Sequence, residues 1–296
     1  MTVPLTTNRQ DSRQALRLRQ VLRGFGAVLG RDVHVTGQEL PSFLAQTLIQ
    51  PFFFLFIFAK VLTAGGFVSA DYGQIMLPGL LALNAFFGAL QSVAFPLVLD
   101  FAWTREIEDR LLAPVSLPLV AVEKIVFGAL RGLLASLAMV PIGFLVLDDV
   151  SWPGSGLAPA FLVIVLGAVL GGAMGLAVGT VVPARRINVL FSVILAPLIF
   201  TGSVQFPFLG LADLRVFQVI CALNPLTYIS EGVRASLVPG VPHLPLWLCL
   251  LVATGAIVLH RHALRTLPGP LPVRDVVVRL RARAAVSART DARGRR

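Results

Sequence analysis

The 296-residue sequence is 56% hydrophobic and only 14% charged, and its mean hydropathy is +0.83. An average soluble domain carries roughly 25% charged residues, so this composition excludes a soluble globular protein and indicates an all-α, polytopic membrane protein. The net charge of +10 does not indicate nucleic-acid binding, because the arginines flank apolar segments and no aromatic-basic surface or zinc-ligand spacing accompanies them.

Residues 1–41 are predicted to form a cytoplasmic arm that contains an amphipathic helix. Its apolar stripe recurs at helical spacing, with most arginines outside it, and consists of Leu18, Leu22, Phe25, Leu29 and Val33. We therefore predict an interfacial helix that lies on the cytoplasmic leaflet of the membrane. A soluble amphipathic helix packed on another subunit is the alternative.

Six apolar runs follow, each close to the roughly 20 residues that a helix needs to cross a bilayer. They make residues 42–265 a predicted six-helix transmembrane domain, with spans at 42–64, 75–99, 119–147, 159–182, 187–204 and 244–262. Helices are expected because a lipid-exposed backbone must satisfy its hydrogen bonds within the segment. Gly154-Ser155-Gly156, before the fourth run, is predicted to be a flexible linker.

The distribution of arginine predicts the orientation of these spans. Arginines are concentrated in the N-terminal arm, the second loop, the fourth loop and the tail, whereas the opposite loops contain only Arg215 and Arg234. Both termini are therefore predicted to be cytoplasmic. Residues 266–296 form a basic tail, predicted to be disordered, which either contacts anionic membrane lipids or serves only as a topology anchor.

Two sets of residues within the spans are candidates for packing and for cargo contact. Glycines line one face of the fourth span and let another helix approach closely, from the same chain or from a second subunit; they are Gly167, Gly171, Gly175 and Gly179. Polar side chains inside a membrane are costly and often functional, and Asn84, Gln91 and Ser192 are the predicted contacts along a substrate path.

The sequence contains no predicted catalytic or metal-binding constellation. Its only lysines, Lys60 and Lys124, are not preceded by the GxxxxG of a P-loop, so the chain lacks a Walker-type nucleotide site. The four histidines show no ligand spacing supported by carboxylates. We therefore expect neither catalysis nor a bound cofactor in this chain.

Two segments between the spans have unusual composition. Residues 100–118, DFAWTREIEDRLLAPVSLP, place a dense group of charges between two apolar runs, which indicates a surface that docks a soluble partner. Residues 205–240 are too apolar for an ordinary exterior loop and too interrupted by proline and glycine for a plain span. Short helices that enter the membrane from the outer face are predicted there.

The predicted topology, RLLAPVS at 110–116 and NPLTYISEGVR at 224–234 together resemble the permease subunit of ABC-2-type exporters, including bacterial drug, lipid and polysaccharide exporters of the daunorubicin type. The resemblance implies two permease subunits, alike or different, and two cytosolic ATPase subunits that bind ATP and Mg²⁺. Many members have a Gly-Thr pair before the glutamate of the second loop, and residues 105–109 lack it. The register of the partner contact is therefore open.

The resemblance also implies roles for the two unusual segments. Residues 100–118 would contain the coupling helix that sits in a cleft of the ATPase, with candidate contacts at Arg105, Glu106, Glu108, Asp109 and Arg110. Residues 206–238 would form re-entrant helices that gate the outer mouth, with candidate residues Asn224, Pro225, Tyr228, Glu231 and Arg234.

The leading hypothesis is a permease subunit of an ATP-driven exporter in the bacterial inner membrane, carrying a hydrophobic or amphipathic drug, lipid or glycan. An ATPase-independent secondary transporter or channel is the alternative, although the sequence shows neither a clear midplane carboxylate nor an inverted repeat. A membrane-bound enzyme acting on lipid is a third reading, and it lacks a convincing nucleophile or metal site.

Overall fold

The computed structural model describes residues 40–99, 117–147, 150–181 and 195–266, with single positions at 26, 29, 30, 34 and 37 before them. Over this part of the chain the regular structure is helical. Eight α-helices are numbered in chain order: α1 Leu40–Ala64, α2 Tyr72–Leu99, α3 Leu117–Val146, α4 Gly154–Val181, α5 Ala196–Thr201, α6 Arg215–Leu223, α7 Pro225–Leu237 and α8 Leu246–Thr266. A short 3-10 turn, Phe208–Leu211, precedes α6.

Four of these helices are long and apolar enough to cross a membrane: Leu40–Ala64, Tyr72–Val98, Val120–Val146 and Gly154–Thr180. They confirm the first four predicted spans as helices. The described part of the fifth predicted span contains α5, which ends at Thr201, and the sixth predicted span corresponds to α8, whose apolar part is Leu246–His260. The number of crossings and the side on which the termini lie stay predictions. The predicted interfacial helix and the tail lie almost entirely outside the described residues.

Helix α2 lies at the centre of the bundle. It packs most extensively against α3 and α4, and α7 packs against α2, α4 and α8. Ser136 of α3 donates a hydrogen bond of 2.9 Å to the carbonyl oxygen of Leu81, which adds a polar link between α3 and α2. Helix α1 is mostly exposed, and the Arg131 guanidinium lies 4.0 Å from the centroid of the Phe43 ring, connecting α3 to the start of α1.

The glycine face of α4 packs against helices of the same chain. A Cβ atom built on Gly171 or Gly175 would overlap a backbone carbonyl of α2, so the two helix backbones are in contact at these points. Gly167 faces the side chain of Ile229 in α7, and Gly179 faces Leu97 in α2. In this chain the four-residue repeat is therefore used for intrachain packing.

The prediction of a flexible linker at Gly154-Ser155-Gly156 is wrong, because these residues form the first turn of α4. The physical reason lies in a tertiary contact. A side chain at Gly156 would overlap the carbonyl oxygen of Ser236 near the end of α7. The glycine thus allows close approach of α7 to the start of α4, a requirement that local sequence does not reveal.

We expect Gly171→Ala to destabilise the protein by about 1–3 kcal/mol, the usual cost of overpacking, because the new methyl group meets the rigid carbonyl of Phe86. Gly255→Ala in α8 is the matched control, since nothing lies within 4 Å of a Cβ at that position and both changes improve helix propensity equally. Thermal unfolding of the purified variants measures the difference. Equal unfolding midpoints for the two variants would contradict the close α2–α4 contact.

Candidate functional site

The segment from Asn224 to Arg234 contains the break between α6 and α7. Asn224 is extended, with φ −85° and ψ 119°, and its side-chain oxygen accepts a hydrogen bond of 2.9 Å from the backbone N–H of Leu226. Pro225 occupies the first helical position, where its missing N–H costs nothing. The Asn-Pro pair therefore ends one helix and starts the next within a single residue.

Asn224 and Thr227 also fasten this break to α5. The Asn224 amide donates to the carbonyl oxygen of Leu198 at 2.7 Å and to the hydroxyl of Thr201 at 2.9 Å. The Thr227 hydroxyl donates to the carbonyl oxygen of Cys221 at 2.7 Å, within α6. The Thr227 hydroxyl also lies 3.1 Å from the carbonyl oxygen of Thr201, so side chains tie the ends of α5, α6 and α7 together.

Glu231 and Arg234 form a fully buried ion pair one helical turn apart on α7. The guanidinium group contacts the carboxylate through Nη1 and donates three further hydrogen bonds to backbone carbonyls. Nε donates to Ile75 in α2 at 3.1 Å, and Nη2 donates to Ser203 at 2.9 Å and Val204 at 3.2 Å. The planar fork of arginine suits this arrangement, because its donors point in several fixed directions at once.

The Glu231 carboxylate is satisfied in the same way from the other side. Its Oε1 accepts from the backbone N–H of Phe208, and its Oε2 accepts from the backbone N–H of Leu244, both at 3.0 Å. Desolvating two charges costs several kcal/mol per ion, and it is offset only where good geometry and additional hydrogen bonds accompany the pair. The ion pair meets that condition and joins α7 to α2, to residues 203–208 and to the segment before α8.

Residues 203–205 are held in an unusual backbone conformation beside the ion pair. Ser203 has φ 50°, a region that non-glycine residues rarely adopt. The Arg234 guanidinium donates to the carbonyl oxygens of Ser203 and Val204. The Tyr72 hydroxyl donates to the carbonyl oxygen of Gln205 at 2.7 Å. Gly79 of α2 leaves room for the Val204 carbonyl. Two contacts from α7 and two from α2 therefore hold this turn in place.

Of the five predicted gate residues, four thus contribute side-chain contacts and one provides the helix start. Tyr228 donates from its hydroxyl to the carbonyl oxygen of Ala222 at 2.9 Å, bracing α7 against α6. The structure brings all five into one cluster, although their role in gating stays a prediction. The Glu231–Arg234 pair can hold several chain segments together, because each segment shares hydrogen bonds with these two charged groups.

Glu231 and Arg234 were counted with the charges of the exterior side, and the structure adds that they are buried inside the bundle rather than exposed in a loop. Both side chains are 0% exposed. A signal was present, since an acid and a base three residues apart on a helix face each other. The role of Tyr72 was missed entirely, because its partner is a main-chain carbonyl far away in sequence.

The other predicted site residues do not join this cluster. Asn84 is 3% exposed inside the chain, and its Nδ2 has no hydrogen-bond partner. Gln91 lies two helical turns further along α2 and is half-buried. The remaining predictions fall outside the described residues, namely Ser192 and the ATPase-coupling residues Arg105, Glu106, Glu108, Asp109 and Arg110.

Comparisons with known proteins find relatives that are named as transport permeases. Over 225 residues the chain is 28% identical to the inner membrane transport permease YadH of Escherichia coli strain K12, which covers 72% of this chain and 84% of YadH. Over 206 residues it is 27% identical to the putative transport permease ycf38 of Porphyra purpurea, covering 66% of this chain and 67% of that protein. No solved structure matches the chain.

The family assignment comes from a match to a model of a whole domain. The model of the ABC-2 type transporter family matches residues 24–238, which is most of the 296-residue chain and includes the Glu231–Arg234 pair. The helices of spanning length are what a membrane permease requires. As its sequence motifs predicted, the chain belongs to the ABC-2 type transporter family of membrane permeases.

Proposed function

We propose that this chain is the membrane-spanning permease subunit of an ATP-driven exporter. The single observation that carries the proposal is the family match over residues 24–238. A cytosolic ATPase subunit would bind ATP and Mg²⁺, because the chain has no P-loop of its own. Six crossings, both termini in the cytoplasm and a dimer of permease subunits complete the proposed assembly. The printed name of YadH supports a location in the bacterial inner membrane.

We propose that α2 is the path of coupling. This helix begins at Tyr72, beside the Glu231–Arg234 pair, and ends at Leu99, immediately before the proposed coupling segment 100–118. Its 28 residues form one continuous and mostly buried helix with two internal prolines, about 42 Å long at the usual rise per residue. Closure of the ATPase subunits would move residues 100–118, and α2 would carry that movement to the residues that contact the ion pair.

The proposed gate is the helix pair α6–α7, which is a candidate to enter the membrane and return. Pro225, at the start of α7, lines a cavity together with Leu170, which lies well inside α4. Helix α7 is largely buried, whereas α6 exposes apolar side chains such as Val216 and Leu223, which are 79% and 81% exposed. Such a surface is unfavourable in water and suits lipid or a hydrophobic cargo.

The cargo is proposed to be hydrophobic or amphipathic, leaving through an apolar cavity between two permease subunits. Gln91 is the more accessible of the two described polar candidates, since Asn84 is buried among side chains of its own chain. Contact between Asn84 and cargo would require separation of the helices around α2.

The decisive experiment is co-expression of the chain with an ATPase encoded beside its gene. We expect the two proteins to copurify and the complex to hydrolyse ATP faster with one member of a lipid and drug panel. Proteoliposomes containing the chain alone serve as the control. Cargo flux through the chain alone, without ATP, would overturn the proposal in favour of a channel or secondary transporter.

A further inference from the structure

The turn at residues 203–205, between α5 and the segment that leads into α6, has an unfavourable local conformation. The backbone of Ser203 has φ 50°, where the Cβ of an L-residue comes too close to the following carbonyl oxygen. Gln205 is 7% exposed, and its Oε1 atom has no hydrogen-bond partner among the described residues. A buried acceptor without a donor is costly as well. The turn therefore carries two local penalties and persists because its neighbours hold it.

The contacts that hold this turn come from two helices. Arg234 of α7 donates hydrogen bonds to two of its carbonyl groups. Tyr72, the first residue of α2, donates one to the Gln205 carbonyl oxygen at 2.7 Å. The Tyr72 ring also packs against the ring of Phe58 in α1, with 6.2 Å between the centroids, which limits the directions that its hydroxyl can take. Both α2 and α7 must therefore keep their positions for the turn to stay closed.

The Tyr72 hydrogen bond is sensitive to small movements of α2. Bonds between two oxygen atoms span about 2.5–3.0 Å, so a shift of about 1 Å away from the turn would break this contact. Release of the turn would then let Ser203 leave its positive φ and let water reach Gln205 Oε1. Both penalties therefore favour the released turn once the hydrogen bond from α2 is lost.

We propose that Tyr72 is a positioning residue of the gate. Its hydrogen bond to Gln205 keeps the turn at 203–205 closed against α2, and loss of that bond releases the turn together with the adjoining ends of α5 and α6. The inference rests on the proposed function for the gating role of α6–α7 and for the ATPase as the cause of α2 movement. The contact itself requires neither an ATPase nor a cargo, so the isolated chain suffices to test it.

Cys221 of α6 provides a natural probe for release of the turn. Its side chain is 0% exposed, and its thiol lies within hydrogen-bond reach of the Ser203 side chain. Cys249 of α8 is 1% exposed and lies beside Gly232 of α7 instead, so it serves as an internal control. A buried thiol reacts when its surroundings open, and its alkylation rate therefore follows the population of the locally open state.

Alkylation of the detergent-purified full-length chain with N-ethylmaleimide, followed by peptide mapping by mass spectrometry, measures the two rates separately. Tyr72→Phe removes the hydroxyl and keeps the ring. Cys221 should then react roughly fivefold faster, the change expected for one lost hydrogen bond, while Cys249 keeps its rate. Ser203→Gly removes the steric penalty of a positive φ, which favours the closed turn, so Cys221 should react roughly fivefold more slowly.

Ser136→Ala is the matched control. It also removes one hydroxyl hydrogen bond to a carbonyl, at 2.9 Å, but that carbonyl belongs to Leu81, more than two helical turns along α2 from Tyr72. It should lower the unfolding midpoint about as much as Tyr72→Phe does and leave the Cys221 rate unchanged. Equal Cys221 rates in these two variants would overturn the proposal, and so would faster alkylation of both cysteines in Tyr72→Phe, which indicates general loosening. Neither result would affect the export proposal, because no ATPase or cargo is present.

Discussion

Replacing Arg234 with methionine is expected to lower the free energy of unfolding by about 3–5 kcal/mol, the usual cost of removing one partner of a buried ion pair. The Glu231 carboxylate would stay buried without its counter-charge, and the carbonyls of Ile75, Ser203 and Val204 would lose their donor. Thermal unfolding of the purified variant, together with its yield in the membrane, measures the effect.

Arg215→Met is the matched control for this prediction. Arg215 is exposed, and its one described contact is a long hydrogen bond of 3.5 Å to Gln218. A change at such a surface position is expected to stay within about 0.5 kcal/mol. If Arg234→Met unfolds at the same temperature as Arg215→Met, the ion pair does not hold this end of the bundle together.

The double variant Glu231→Leu and Arg234→Met separates charge from hydrogen bonding. It removes both buried charges, so the penalty of an unpaired carboxylate disappears. The backbone N–H groups of Phe208 and Leu244 nevertheless lose their acceptor, and each unsatisfied group costs about 1–3 kcal/mol. We therefore expect partial rescue only. Full recovery of stability would show that the hydrogen bonds to the backbone contribute little.

Reversing two charges in the proposed coupling segment, Glu106→Lys with Glu108→Lys, is expected to abolish transport and partner-stimulated ATP hydrolysis. Like charges would then meet wherever these carboxylates pair with basic groups of the ATPase, which costs several kcal/mol at an interface. Membrane insertion should be unaffected, because it depends on the apolar spans. Copurification, ATPase activity and cargo export by the complex are the measurements.

Asp213→Lys is the control for this reversal. Asp213 is exposed at the α5–α6 connection, near the end of the bundle where α2 begins, so its reversal should leave ATPase coupling intact. Retained export in the Glu106 and Glu108 double variant would exclude a coupling role for these two residues. Loss of export in both variants, with normal ATPase stimulation, would place the defect outside the coupling segment.

The positions of the helices were largely readable from the sequence, because hydrophobic length alone identifies segments that can cross a bilayer. Helices α1 to α4 and α8 cover the predicted runs to within a few residues, except where α4 begins five residues early at Gly154. The glycine repeat of α4 was also readable as a packing face. The helices that pack against this face could not be predicted from the sequence, because small residues permit a close neighbour without specifying which one.

The sequence by itself determined the membrane class, the helical runs, the absence of a P-loop and the motif from Asn224 to Arg234 on which the resemblance to the family was based. Only the tertiary structure decided that Glu231 and Arg234 are buried together, and that Ile75, Ser203, Val204, Phe208 and Leu244 surround them. The physical reason is that these partners act through main-chain N–H and C=O groups. Every residue carries a carbonyl, so no side-chain pattern reveals which ones an arginine will find.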